Sequence, residues 1–168
     1  MKLLSFLETS KIPKNETPSI CKSCGACCKG QPGGYAPDQF ETEQQIMSLV
    51  RSNQAIFDYW IADIGGHVYF LRPRKGDETG VEAPWNMLHL KKPCVNLTEK
   101  GCSLKWSDRP HGCRTLKAFM KDGERACEGM YIEDGKPVNT KKILAYEWQS
   151  SKFDLYEMLS NLQDELYG

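Results

Sequence analysis

Four of the chain's eight cysteines stand within eight residues, as Cys21-Lys22-Ser23-Cys24-Gly25-Ala26-Cys27-Cys28, and no other feature restricts the fold as much. A C-x2-C step lets two thiolates converge on one ion while turn N–H groups point at the sulfurs and stabilise their negative charge. Cys27 follows Cys24 at the same spacing, as in the opening of a C-x2-C-x2-C-x3-C cluster run, but here the fourth cysteine is adjacent to the third. Neighbouring side chains project in different directions, so Cys27 and Cys28 do not complete one tetrahedral site together without strain. One of them then serves a second centre, or its thiolate bridges two metals. Glycines and a proline follow closely, at Gly30, Pro32, Gly33 and Gly34, and they predict an irregular loop.

The compartment decides how cysteines are read. Eight in 168 residues is below the density of short disulfide scaffolds. The apolar start Met1-Lys2-Leu3-Leu4-Ser5-Phe6-Leu7 meets Glu8 and Lys11 too soon for a secretory h-region, and no 18-residue apolar run is present. The expectation is a cytoplasmic protein without a membrane span, in which thiols stay reduced and a cysteine framework points to metal or redox chemistry. Lys and Arg total 22 against 22 Asp and Glu. This balance lacks the basic excess of a domain that binds phosphate backbones, so nucleic acid is disfavoured as a partner.

Cys94, Cys102, Cys113 and Cys127 form a second, looser set. Arg109 and Arg114 flank Cys113 and are read as charge compensation for collected thiolates, with the dipole of a predicted helix adding to them. His111, two residues before Cys113, is a candidate replacement ligand, whereas His67 and His89 read as structural. Lys22, Lys29, Lys91 and Lys92 read equally well as further charge compensation or as solvated surface charges. Eight cysteines then read more readily as one composite site than as four separate pairs.

Local patterns place these residues on an α+β scaffold. Thr42 and Gln45 have capping-box spacing, and a helix is predicted over about residues 39–52. Residues 54–63 read as a second short helix or a buried extended run. Gly65-Gly66 is a break, and Val68-Tyr69-Phe70-Leu71 a strand. Pro73, Gly76, Asp77 and Gly80 mark a polar loop. Two very short strands surround the turn Thr98-Glu99-Lys100-Gly101. A helix is predicted from Ser107 or Asp108, with Pro110 in its first turn, through Cys113 to about Met120. Ile143, Leu144, Trp148, Leu155, Tyr156, Leu159, Leu162 and Leu166 fall at helical spacing over about residues 140–167, as one long helix or a broken pair. Core packing is the leading reading of that stripe, and a protein partner the other. The whole chain, 1–168, reads as a single small, irregular, metal-stapled domain with short strands, several helices and a long C-terminal helix.

At this point the chain resembles the YkgJ-like cysteine-cluster family, described as zinc- or iron-chelating, whose pattern includes C-x2-C-G-x-C-C and a later R-P-x2-C-R. Cys21, Cys24, Gly25, Cys27 and Cys28 match the first part, and Arg109, Pro110, Cys113 and Arg114 the second. Cys94, Leu97, Gly101 and Cys102 look like the middle segment and Cys127 like the last family cysteine. The resemblance covers residues 21 to about 127 and implies metal ions as partners. In one departure, Lys105 stands where the family carries an aromatic, and Trp106 follows it, so Arg109-Pro110 comes one residue late.

All-thiolate sites suit zinc and iron–sulfur clusters, whereas magnesium and calcium prefer oxygen. The C-x2-C-x2-C run fits iron, as a cluster or otherwise, slightly better than the separated knuckle pairs of a zinc ribbon, and zinc is the alternative. Three functional classes follow: metal binding through all eight cysteines, a metal-dependent redox or methylase-like enzyme, and a metal-stapled adaptor presenting residues such as Tyr35, Trp85 and Trp106. The flagellin lysine methylase looks similar in its cysteine cluster, which bears on the second class by analogy alone. No nucleophile elbow, H-E-x-x-H, phosphate loop or dinucleotide fingerprint occurs, so any chemistry belongs to the metal.

Overall fold

The computed structural model describes residues 28, 33–76, 78–84, 92–114, 116–121, 124–129, 132–133, 136–137 and 140–168. Its centre is an antiparallel hairpin of β1 (Ala55–Ile61) and β2 (His67–Pro73), in register from Ala55 opposite Pro73 to Ile61 opposite His67. The five connecting residues fold back through Gly65 and Gly66, whose φ of 86° and 81° favour glycine because a side chain would be strained there. Residues 54–63 are therefore mostly strand. Their β-branched and aromatic residues win over the helical alternative because Ala55–Asp58 are buried on both faces of β1 and the strand pairs with β2 along its length.

Helix α1 (Glu43–Arg51) precedes the hairpin. The Thr42 hydroxyl accepts the Gln45 N–H at 3.4 Å, and the Gln45 side chain accepts the Thr42 N–H at 3.3 Å, which closes the expected capping box. The helix starts later than the predicted residue 39, because Pro37–Gln39 forms a separate 3-10 turn and Phe40 is extended. Ile46 and Val50 are its buried face.

Two short hairpins and a tight turn carry Cys102, Cys113 and Cys127. Strands β3 (Leu97–Thr98) and β4 (Gly101–Cys102) pair with Leu97 opposite Cys102, as the sequence predicts. A 3-10 turn at Trp106–Asp108 leads to α2 (His111–Arg114), a single turn. The predicted helix to Met120 is not formed. Leu116–Lys121 is strand β5, paired with β6 (Glu124–Gly129) from Leu116 opposite Gly129 to Lys121 opposite Glu124. Asp122-Gly123 lies between them, a dipeptide strongly favoured in two-residue hairpin loops, and this local preference outweighs the helical reading. β7 (Ile132–Glu133) and β8 (Lys136–Pro137) form a further small pair.

The C-terminal segment is the broken pair, α3 (Thr140–Gln149) and the longer α4 (Leu155–Tyr167). Asp154 caps α4 by accepting the Glu157 N–H at 3.0 Å. Leu144, Trp148, Leu155, Leu159 and Leu162 are buried with Phe57, Phe70, Leu71, Ile46 and Val50 in one core, whereas Tyr156 and Leu166 are exposed. The stripe is mainly core. No helix among the described residues is long and apolar enough to cross a membrane.

Candidate metal centre

The path from the core to the cysteines runs through Tyr35. Its N–H donates to the Leu71 carbonyl at 2.8 Å, and its own carbonyl accepts the Trp148 indole N–H at 2.8 Å. Tyr35 is buried, so it is not among residues presented to a partner, contrary to the adaptor reading. Fixing Tyr35 fixes the two preceding glycines. The Gly34 carbonyl accepts the Gly112 N–H at 2.9 Å, and the Gly33 N–H donates to Cys113 Sγ at 3.2 Å.

This crossing needs glycine on both sides. A Cβ on Gly33 would lie 2.2 Å from the Cys113 nitrogen, and one on Gly112 would lie 2.7 Å from the Gly34 nitrogen. Backbone meets backbone, and the loop after the C-x2-C-x2-C-C run is thereby pinned to the R-P-x2-C-R turn. Stabilisation of a Cys113 thiolate is expected from Arg109 and Arg114 together with a helix dipole. With α2 only four residues long, the dipole's share passes to the Gly33 N–H.

A second crossing involves Cys94. Its N–H donates to the Cys28 carbonyl at 2.7 Å, and both cysteines are buried. Cys94 also pairs with Lys75 in an isolated antiparallel bridge. None of Cys28, Cys94, Cys102 and Cys113 is in a disulfide. Burial raises the pKa of the Tyr35 phenol, and the charges of Cys113, Cys94 and Cys102, then Asp108, raise it further.

The remaining predicted ligands are less fully placed. Cys21, Cys24 and Cys27 lie outside the described residues, and Cys127 is located by its backbone in β6, opposite Ala118. Among the described residues, no three His, Cys, Asp or Glu side chains are close enough to hold a metal ion. The donor chemistry nevertheless fits a borderline or soft metal, since the described cysteines offer sulfur in a largely buried setting.

Arg109 is buried, donates from Nε to the Leu104 carbonyl at 3.1 Å and lies over the Trp106 ring at 5.5 Å. Trp106, the aromatic displaced by one residue, therefore still touches the R-P turn. Gln39 clamps the same turn, donating to the Arg109 carbonyl at 3.0 Å and accepting the His111 N–H at 2.8 Å. His111 is buried, and its Nε2 has no hydrogen-bond partner among the described residues, as is true of Arg114 Nε. Burial, then Arg114, lowers the His111 pKa and favours neutral imidazole, the ligating form. His67 is exposed and stacked on Tyr59 at 3.8 Å, and Lys92 is exposed, whereas His89, Trp85, Lys22, Lys29 and Lys91 lie outside the described residues.

Residues 73–80, a polar loop by sequence, contribute to a buried ionic group with Asp58 and Arg72. The Arg72 guanidinium donates to Asp58 at 2.8 Å and to both Glu78 oxygens at 2.7 and 2.5 Å. The Lys75 N–H donates to the same Glu78 carboxylate at 2.7 Å, and Lys75 is 0% exposed. The available signal was the run Arg72-Pro73-Arg74-Lys75, three cations closing a strand of β-formers, with an acid at Glu78.

No curated protein and no solved structure matches the chain. A family model does: CxxCxxCC, described as "Putative zinc- or iron-chelating domain", matches residues 20–131. That span is well over half of the sequence and contains all eight cysteines. The description supports metal chelation without choosing between zinc and iron. By its cysteine pattern and this match, the chain belongs to the CxxCxxCC family.

Proposed function

We propose that the protein binds iron, as an iron–sulfur cluster, through thiolates of Cys21, Cys24, Cys27, Cys28, Cys94, Cys102, Cys113 and Cys127. The observation that carries this reading is the double crossing, Gly33 on Cys113 and Cys28 on Cys94, which ties the N-terminal cysteine run to two cysteines more than 60 residues away. Folding a loop rich in cysteine onto distant cysteines gains most when a metal joins them, because its binding free energy is then part of the folding free energy. The C-x2-C-x2-C run favours a cluster, and the family description admits iron.

The reading is tested by replacing Cys24 or Cys113 with Ser and measuring metal content and thermal stability together. Both are expected to fall in each variant. Full metal occupancy in both would remove these residues from the ligand set. Zinc is the competing occupant, and a colourless wild-type protein with stoichiometric zinc and no sulfide would replace iron in this assignment.

A further inference from the structure

We propose that Lys75 is a positioning residue for the Cys94 thiolate, its buried positive charge lying on the same face of their backbone bridge as that sulfur. The inference rests on the thiolate-centre reading above and adds to it a buried cation that the cysteine motifs do not contain.

The geometry comes from the backbone. Lys75 and Cys94 are opposed in an antiparallel bridge, and the hydrogen bonds around it run from Val95 N–H to the Arg74 carbonyl and from Gly76 N–H to the Pro93 carbonyl, each 2.9 Å. These bonds join the residues flanking the pair, so Lys75 and Cys94 are the non-hydrogen-bonded kind of antiparallel pair. Such pairs have their Cα atoms about 4.5 Å apart and carry their two side chains close together on the same face. The Cys94 N–H, left unused by the bridge, points away to the Cys28 carbonyl at 2.7 Å. Cys94 thus links the Lys75 strand to the N-terminal cysteine segment.

Chemistry agrees with this placement. Lys75 is 0% exposed and Cys94 is 4% exposed, so water does little to screen one from the other. A buried ammonium keeps hydrogen-bonding company of its own, and its charge still acts on a neighbouring sulfur through the poorly screened interior without a direct hydrogen bond. A thiolate held on a metal benefits equally, because a nearby cation offsets the accumulation of negative charge among several sulfurs.

The test uses the full chain loaded with cobalt(II), whose sulfur-to-metal charge-transfer band reports electron density on the thiolates. Lys75→Met is expected to weaken cobalt affinity in chelator competition by about 10- to 100-fold, the range of losses from outer-shell partners of metal ligands. The band should move to lower energy, since removing a cation raises the energy of the sulfur electrons. Lys75→Arg should restore most of the affinity and the band position. In a Cys94→Ser background, Lys75→Met should cost no further affinity. If Lys75→Met does not fold, Lys75→Gln gives the same comparison, because it removes the charge and keeps a polar side chain. Unchanged affinity and band in the neutral variant, or an equal loss with and without Cys94, would overturn this proposal while leaving the thiolate centre intact. Wild-type protein that takes up no cobalt would overturn the thiolate centre and this proposal with it.

Discussion

Replacing Gly33 with alanine tests the crossing that brings the cysteine run to Cys113. The new Cβ would sit 2.2 Å from the Cys113 nitrogen and 2.2 Å from the Gly112 carbonyl carbon. Non-bonded carbon contacts settle at about 3.5 Å, so the two backbones must part by about 1.3 Å. That displacement breaks the 2.9 Å bond from Gly112 N–H to the Gly34 carbonyl and the 3.2 Å contact from Gly33 N–H to Cys113 Sγ. The first loss costs about 1 kcal/mol and the second, to a charged sulfur, about 1.5–3 kcal/mol. The sum, about 2.5–4 kcal/mol, lowers the melting temperature of the metal-loaded protein by about 5–15 °C at this chain length. The sulfur contact alone corresponds to about a 10- to 100-fold weaker hold on metal in chelator competition. Gly76→Ala is the control, since its Cβ would meet the Pro93 oxygen at an ordinary 3.8 Å. A Gly33→Ala protein that melts with the wild type and binds metal equally well would refute the crossing.

The other expectations concern the scaffold. Arg72→Met leaves the Asp58 and Glu78 carboxylates buried without their guanidinium, and a loss of about 3–5 kcal/mol in urea unfolding is expected; a change below about 1 kcal/mol would contradict the buried network. Burial, then Asp38, raises the Glu147 carboxyl pKa to about 7 from 4.5. A carboxyl with a raised folded-state pKa stabilises the fold fully below the unfolded value and loses that contribution as pH rises through the folded value. The stability of wild type relative to Glu147→Gln should therefore fall between pH 4.5 and about 7 and level off above, as followed by urea midpoints. A flat difference would show that Glu147 is solvated.

Much of the fold was legible where a local signal and the tertiary environment agree. Thr42 and Gln45 announce the start of α1, Gly65-Gly66 the break after β1, and the Leu144 to Leu162 stripe the helices that cover the sheet. The helix predicted past Cys113 failed because Leu116–Lys121 finds a partner in Glu124–Gly129, a pairing that single-strand periodicity does not reveal. The cysteines themselves were legible as a set, but not the means of their approach. Gly33, Gly34 and Gly112 read as loop formers in sequence, and their function as a close backbone contact exists only once distant segments meet. Lys75 was hidden for a similar reason, since a lysine in a polar stretch is ordinarily solvated, and only the bridge to Cys94 places it inside.

Anaerobic purification followed by metal and acid-labile sulfide analysis, with the visible spectrum of the same sample, decides whether the cysteines hold an iron–sulfur centre. The account predicts stoichiometric iron with sulfide and a broad charge-transfer absorption that disappears on acidification as thiolates regain protons. A folded, metal-free protein whose cysteines are joined in disulfides would contradict it.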